Sequence, residues 1–446
     1  MRKKFFSLVI LSFSIIIFIY VIYKSEIYWN GELRNHYITY YFLSFFLILF
    51  SIFTFFINDA LKTSLIISLI TILIFLFSYE GYLTLKESII MTKKKTIYET
   101  NTGKKYDARS PDKVFYNLSQ KDDNITTSLQ PRNFLYKDDL DLIPFSGKSL
   151  TKTIGCNENG YYSIYESDRY GFNNPDSEWD SSEIEFLLVG DSFVHGSCVN
   201  RPNDISSQLR ILSKKSVLNL GMEGNGPLLV FASLKEYFKP NTKAILWFFF
   251  EGNDLADLSH EFNNKILFKY FNKENFTQNL KLKQKYLDEI NSSVFPKYQT
   301  PNFLDSDFFN FLKLTKLRYK MRIYLINNKN KDLSKKFSDE KIVDILKKIL
   351  HKTKTLSDNN NTKLYFIYLP EYQRYYDKNY KLEKYNLVKN IVKEMNIPFI
   401  DIHENIFIKE DVPLNLFPFG MKGHYTVEGY KKISKNIYKV IAGNKN

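Results

Sequence analysis

The sequence predicts a three-layer α/β/α domain built on a parallel sheet and preceded by transmembrane helices. Three observations lead there. From residue 183 to the C-terminus, short apolar runs ending in polar or glycine-containing turns alternate with stretches of helical periodicity. That is the pattern of strands buried on both faces between crossover helices. Three uncharged apolar runs crowd the first eighty residues. Between the third and fourth expected strands, residues of about 255–335 form a Lys/Asn-rich stretch that reads as a helical insertion.

The apolar runs come first. Phe5–Tyr23 is nineteen residues without a charge, Ile38–Ile57 twenty, and Ser64–Tyr79 sixteen, extendable toward Leu61. A bilayer core takes roughly 17–25 apolar residues per helix. Residues 1–84 are therefore expected to form a membrane anchor of two to three helices, at about 5–23, 38–57 and 62–79. No small-residue cleavage site follows the first run, which continues Lys24-Ser25-Glu26-Ile27-Tyr28-Trp29 and so does not read as a removable signal peptide. Arg2, Lys3 and Lys4 favour a cytoplasmic N-terminus, and three spans then place residue 85 onward outside the cytoplasm. Lys93, Lys94 and Lys95 pull mildly the other way. The formal charge of +14 is scattered, with no basic block longer than that triplet. No nucleic-acid partner is expected; the bilayer is the expected partner, and a basic surface is compatible with anionic lipid or glycan. Cys156 and Cys198 lack a metal-site spacing. An extracytoplasmic location permits a disulfide between them, against the alternative of two free thiols.

Residues 85–182 carry turn signals at Asn101-Thr102-Gly103, Ser110-Pro111-Asp112 and Asn174-Pro175-Asp176 and are expected to be irregular and strand-rich. In 183–446 the expected strands are Ile184–Val189, Val217–Leu220, Ala244–Phe250, Leu364–Leu369 and Phe399–Ile402. Expected helices run from a cap at Asp204 through Leu212, from Pro227 to Phe238, over Asp339–Lys354 and Lys381–Met395, and over Val427–Ile441. In the last, Tyr430, Ile433, Ile437 and Ile441 recur at helical spacing.

Ligands of open parallel sheets bind beyond the carboxyl ends of the strands. The first expected strand ends Gly190-Asp191-Ser192, where a serine on a tight strand-to-helix turn can expose both its hydroxyl and its own N–H. Taken alone, this tripeptide reads equally well as a helix N-cap. The second ends Asn219-Leu220-Gly221-Met222-Glu223-Gly224, with glycines that let a backbone N–H approach a ligand. The third ends Glu251-Gly252-Asn253-Asp254, where an asparagine amide can donate to an oxyanion or simply cap the next helix. Gly423-His424-Tyr425 precedes the terminal helix and puts an imidazole within reach of the same rim as a general base.

Those four blocks, in that order, resemble the SGNH (GDSL-type) hydrolase superfamily. Ser192 matches its nucleophile, Gly224 its glycine, Asn253 its asparagine and His424 its histidine. The segment Asp168-Arg169-Tyr170-Gly171-Phe172-Asn173-Asn174-Pro175 is similar to the lead-in of membrane-anchored bacterial members. The resemblance covers about 184–254 and 340–446. It implies a flavodoxin-like α/β/α fold, catalytic Ser192 and His424, and an oxyanion hole from Ser192, Gly224 and Asn253; no metal-ligand pattern is visible in the sequence, and no cofactor or metal is expected. Asp191, Asp254 and Glu251 are expected as supporting acids. One position departs: the aspartate usual three residues before the histidine is Met421 here. The imidazole then lacks its usual orienting carboxylate, which leaves a Ser-His dyad, a backbone carbonyl, or an acid from among Glu251, Asp401 and Asp411.

The resemblance implies an esterase, and membrane anchoring with export points to small acyl groups on carbohydrate or other envelope substrates as what it removes. The alternatives are an O-acyltransferase for extracytoplasmic glycans, served by a separate acyl-donor membrane protein because three spans are too few to move acyl groups, and a non-catalytic glycan-binding or assembly module. A lipase acting on the adjacent bilayer ranks lower.

Overall fold

The computed structural model describes residues 2–137, 140–294, 303–334 and 339–443. It falls into two compact units, Met1–Glu87 with Leu304–Met321 and Ser88–Phe303 with Arg322–Asn446.

The first unit is apolar on the outside. Helix α1 (Arg2–Ile22) continues into a π-helical turn, Tyr23–Tyr28, and packs against helix α2 (Arg34–Phe53). Their seam is made of small hydroxyls. Ser7, Ser14, Ser44 and Ser51 are buried, while Phe13 and Phe42 are 64% and 72% exposed. Ser14 Oγ and Ser51 Oγ lie 2.8 Å apart across the seam. Small polar residues inside and large apolar ones outside is how helices pack where the surrounding solvent is itself apolar. Helix α3 (Asp59–Thr102) completes three helices long and apolar enough to cross a membrane. Its buried Glu80 accepts the N–H groups of Lys316 (3.0 Å) and Leu317 (2.8 Å) at the start of the helix Thr315–Ser334. Those N–H groups have no partner within their own helix.

Residues 85–102, expected to be irregular, are the second half of α3. The reason is local. Leu85, Lys86, Glu87, Met91 and Lys93–Lys95 are good helix formers, and nothing after Gly81 breaks the helix before Gly103. Gly103 takes φ +67° and its N–H returns to the Glu99 carbonyl, a left-handed helix stop.

The second unit holds two sheets. Three short strands, β1 (Ile125–Thr127), β2 (Lys152–Ile154) and β3 (Ile164–Glu166), form a small mixed sheet in the order β1-β2-β3. The main sheet contains β4 (Ile184–Val189), β5 (Val217–Asn219), β6 (Thr242–Phe250), β7 (Lys363–Leu369) and β8 (Phe399–Asp401), all parallel, in the order β5-β4-β6-β7-β8. This is the doubly wound order 2-1-3-4-5. Side chains alternate between two cores, as a period of two requires. Leu187, Val189, Ile245, Trp247 and Phe249 meet the helices Pro227–Tyr237 and Asp339–Asn359 on one face. Phe186, Leu188, Leu246 and Phe248 meet Ile205–Ser213 and the terminal helix Val427–Gly443 on the other. The α/β/α layering follows.

The insertion divides in two. Leu258, Leu267, Leu280 and Leu287 are fully buried and complete the first core, so residues 254–294 belong to the domain itself. Leu304–Met321 groups with the N-terminal helices. Residues 295–302 and 335 of the expected insertion lie outside the described residues.

Candidate active site

The carboxyl ends of β4, β6 and β7 open onto a cavity of about 360 Å³. β4 stops at Val189, and Gly190 makes the turn: a Cβ there would come within 2.5 Å of Val194 Cγ2 and 3.1 Å of Phe248 Cβ. Asp191 caps the one-turn helix Ser192–His195 by accepting from the Phe193 N–H at 2.9 Å. Ser192 is thereby held half-buried at the cavity wall.

His424 enters from the other end of the chain, in the turn before the terminal helix. Its ring lies against Phe193, with centroids 4.8 Å apart, and its Nε2 is 2.8 Å from Ser192 Oγ. The far nitrogen, Nδ1, is 3.0 Å from Glu158 Oε2, which also accepts the His424 backbone N–H at 2.5 Å. An ionised carboxylate can only accept, so Nδ1 carries the proton and Nε2 offers its lone pair to the serine hydroxyl. Hydroxyl, imidazole and carboxylate thus form one hydrogen-bonded chain. Burial pulls the imidazole pKa down, but the bond and charge of Glu158, with the charges of Glu223 and Asp191, outweigh it and hold the pKa above the ordinary histidine value. Burial likewise raises Glu158, and its bond and charge to His424 more than reverse that, leaving the carboxyl below its usual range.

Glu158 is the residue that reading by motif missed. It stands where an orienting acid is needed, and the three sequence candidates stand elsewhere. Glu251 is spent on Arg374 (2.5 Å) and the Tyr368 hydroxyl (3.1 Å). Asp401 accepts from Tyr385 Oη (2.5 Å) and the His403 N–H (3.1 Å). Asp411 is an exposed surface residue. Met421, at the usual aspartate position, turns its N–H to the Pro418 carbonyl. One signal pointed to Glu158: it follows Cys156 by two residues, and Cys156 forms a disulfide with Cys198, six residues beyond Ser192. Any such bridge draws Glu158 toward the serine.

Asn253 lines the cavity with Ser192, while Gly224 does not. The Asn253 amide donates to Asp257 Oδ2 at 2.7 Å, and Asp257 Oδ1 is held by Arg132 Nη1 at 2.8 Å. One amide N–H remains for a ligand. Arg132 comes from the segment after β1 and also packs under Gly224, where a Cβ would meet its Cβ at 3.4 Å. Gly221 uses its N–H on the Asn219 side chain (2.8 Å). Gly224 takes φ +76°, and its N–H, like that of Ser192, has no acceptor among the described residues. Asp254 accepts the Phe250 N–H (3.0 Å) and braces the end of β6. Burial raises the pKa of both Asp191 and Asp254. Neither hydrogen-bonds to the His424 ring, whose polar partners among the described residues are Ser192, Glu158 and the Cys198 sulfur at 3.7 Å.

Cys156, Cys198 and His424 bring three ligand-type atoms within 4.8 Å of one another. Both sulfurs are consumed by the disulfide, so the oxidised chain offers no thiolate pair to a metal there.

No protein-family model and no curated protein sequence matches the chain. Solved structures do align with it. One is described as a lipolytic protein of the G-D-S-L family from Desulfitobacterium hafniense, 14% identical, covering 58% of this chain and 99% of its own, at a TM-score of 0.32. Another is a lipase/acylhydrolase from Enterococcus faecalis, 13% identical, covering 58% and 96%, at 0.31. Likeness at that level carries no conclusion about chemistry, which has to come from the hydroxyl, imidazole and carboxylate themselves.

Proposed function

We propose that the chain is a membrane-anchored serine hydrolase that cleaves esters of small acyl groups, with Ser192 as nucleophile and His424 as base. The observation that carries this is the continuous chain Ser192 Oγ–His424 Nε2 (2.8 Å) and His424 Nδ1–Glu158 Oε2 (3.0 Å). In the first step His424 takes the hydroxyl proton as Ser192 Oγ bonds to the ester carbonyl carbon. The Asn253 amide and the Ser192 N–H, both at the cavity wall, are the donors for the oxyanion. The carbon–alkoxy bond then breaks, and the alcohol leaves with the proton from His424. Water, deprotonated by the same imidazole, releases the acid from the acyl-serine. Glu158 keeps Nδ1–H in place and stabilises the imidazolium. A fluorophosphonate probe tests the reading: wild type labels and Ser192→Ala does not. Equal labelling of both would remove the nucleophile from the proposal.

A carbohydrate substrate is supported by a neighbouring groove of about 1060 Å³. Tyr98, Tyr161, Tyr162 and Phe419 supply flat apolar faces there, and Asn101, Asn159, Asn200, Asn203 and Asn415 supply amides that both donate and accept. Sugar rings present the complementary surfaces. The groove shares the Glu158–Asn159 segment and the loop leading to His424 with the smaller cavity. It also keeps the acyltransferase reading open, in which a glycan hydroxyl replaces water and a separate membrane protein supplies the acyl group. Hydrolysis of p-nitrophenyl acetate with and without an oligosaccharide acceptor separates the two, transfer outpacing hydrolysis only in a transferase. The non-catalytic reading drew its support from Met421, and Glu158 at the far nitrogen of His424 weakens that support. The apolar N-terminal helices and the disulfide fit a multi-pass protein whose catalytic domain faces an oxidising, extracytoplasmic space.

A further inference from the structure

We propose that the Cys156–Cys198 disulfide is a positioning element of this site: it holds the Glu158 carboxylate against His424 Nδ1, so the imidazole is oriented only while the bridge is closed. Its activity arm rests on the serine-hydrolase reading; its spectroscopic arm does not.

Glu158 does not stand on the main sheet. It lies in the loop between β2 and β3, strands of three residues each, so the small sheet alone gives that loop little rigidity. Among the described residues its carboxylate accepts only from the N–H and Nδ1 of His424. Its side chain is 30% exposed, so water competes for it. Its placement therefore depends on its backbone. Several ties fix that backbone: the Asn157 amide donates to the Asp107 carbonyl at 2.7 Å and the Ser163 N–H to the Cys156 carbonyl at 3.0 Å, and two more lead to the loop that carries the serine, both at Cys198. Cys156 is bonded to Cys198, and Asn159 Nδ2 donates to the Cys198 carbonyl at 3.1 Å. Cys198 is fully buried at φ +65°, just after the turn that carries Ser192, with its sulfur 3.7 Å from His424 Nδ1. The bridge is the covalent one of these ties, and together with the Asn159 bond it anchors both sides of Glu158 to the loop that carries the serine. Gly423 leaves the space for the carboxylate, since a Cβ there would come within 2.7 Å of Oε2.

Opening the bridge is a two-electron step. A dithiol reductant is oxidised to its own disulfide, the Cys156–Cys198 bond breaks, and two protons end on the two thiols. Glu158 is then free to hydrate, and His424 loses the partner that raises its pKa.

The test compares the full-length protein in detergent, oxidised and reduced, as wild type and as Glu158→Gln. In wild type, reduction is expected to lower kcat by about tenfold or more with little change in KM, an effect of the size that loss of an orienting partner produces. In Glu158→Gln, kcat is already low and reduction should change it less than twofold. Independently of activity, NMR of the labelled His424 ring should show its pKa falling on reduction in wild type and not in Glu158→Gln. An equal loss of kcat in both backgrounds, or a His424 pKa unmoved by reduction, overturns the proposal. So does global unfolding on reduction, followed by circular dichroism, because the bridge would then be a staple of the whole domain. A protein with no esterase activity but a redox-dependent His424 pKa would sink the hydrolase reading and leave the positioning role standing.

Discussion

At the scale of single residues, the site is a set of charges and donors brought into contact by distant parts of the chain. Because Glu158 outweighs burial at His424, the imidazole is protonated over more of the neutral range than a free histidine. The base must be neutral to accept the serine proton, so kcat/KM should rise with pH through that raised pKa and level off above it. Glu158→Gln removes the group that does the raising. The acidic limb should move to lower pH while the plateau falls roughly 10²- to 10⁴-fold, as when a triad acid loses its charge. A pH–rate profile of the two proteins checks both. Asn253→Ala should cost roughly 10²- to 10³-fold in kcat, the size of a lost oxyanion donor. Arg132→Met, which leaves the Asp257 carboxylate unpaired beside that amide, should lower kcat with little change in KM; an unchanged kcat would mean Asn253 does not need the brace. Ser192, His424 and Asn253 were legible because each sits at a strand end or helix start. Glu158 and Arg132 were not, because a carboxylate in a loop and an arginine in a turn look like any surface charge until their partners are known.

At the scale of elements, the placement of Ser192 depends on how β4 ends. Gly190 is the only residue type that fits between Val194 and Phe248. Gly190→Ala forces that contact open and should destabilise the domain by about 1–3 kcal/mol, with a parallel loss of activity, both read from thermal unfolding and kinetics on one preparation. Leu187→Ala, in the same strand and fully buried, should cost about 2–5 kcal/mol through the cavity it leaves. The strands were legible because six apolar residues in a row, as in Ile184–Val189, can only be buried on both faces. The extension of α3 to Thr102 was not, because its second half has no apolar face to show the period. Its continuity rests on helix propensity and the absence of a break, which count for less than the turn residues that follow.

At the scale of the whole molecule, the two units obey opposite packing rules. The α/β/α unit buries Phe, Leu and Trp, while the N-terminal unit buries serines and presents Phe and Ile outward. That contrast predicts that the protein stays in the membrane pellet through alkaline carbonate washing. A reporter enzyme active only outside the cytoplasm should be active when fused to the C-terminus; an inactive fusion would reverse the proposed orientation. The sequence by itself determined the apolar helices, the parallel strand set, and the serine, asparagine and histidine at the rim, because periodicity and strand ends are local properties of a chain. Tertiary structure alone decided that Glu158 completes the hydrogen-bonded chain, 266 residues from its histidine. It also decided that Arg132 supports Asn253 through Asp257, and that residues 254–294 are core. Each of these is a contact between segments whose own sequences hold no record of the other.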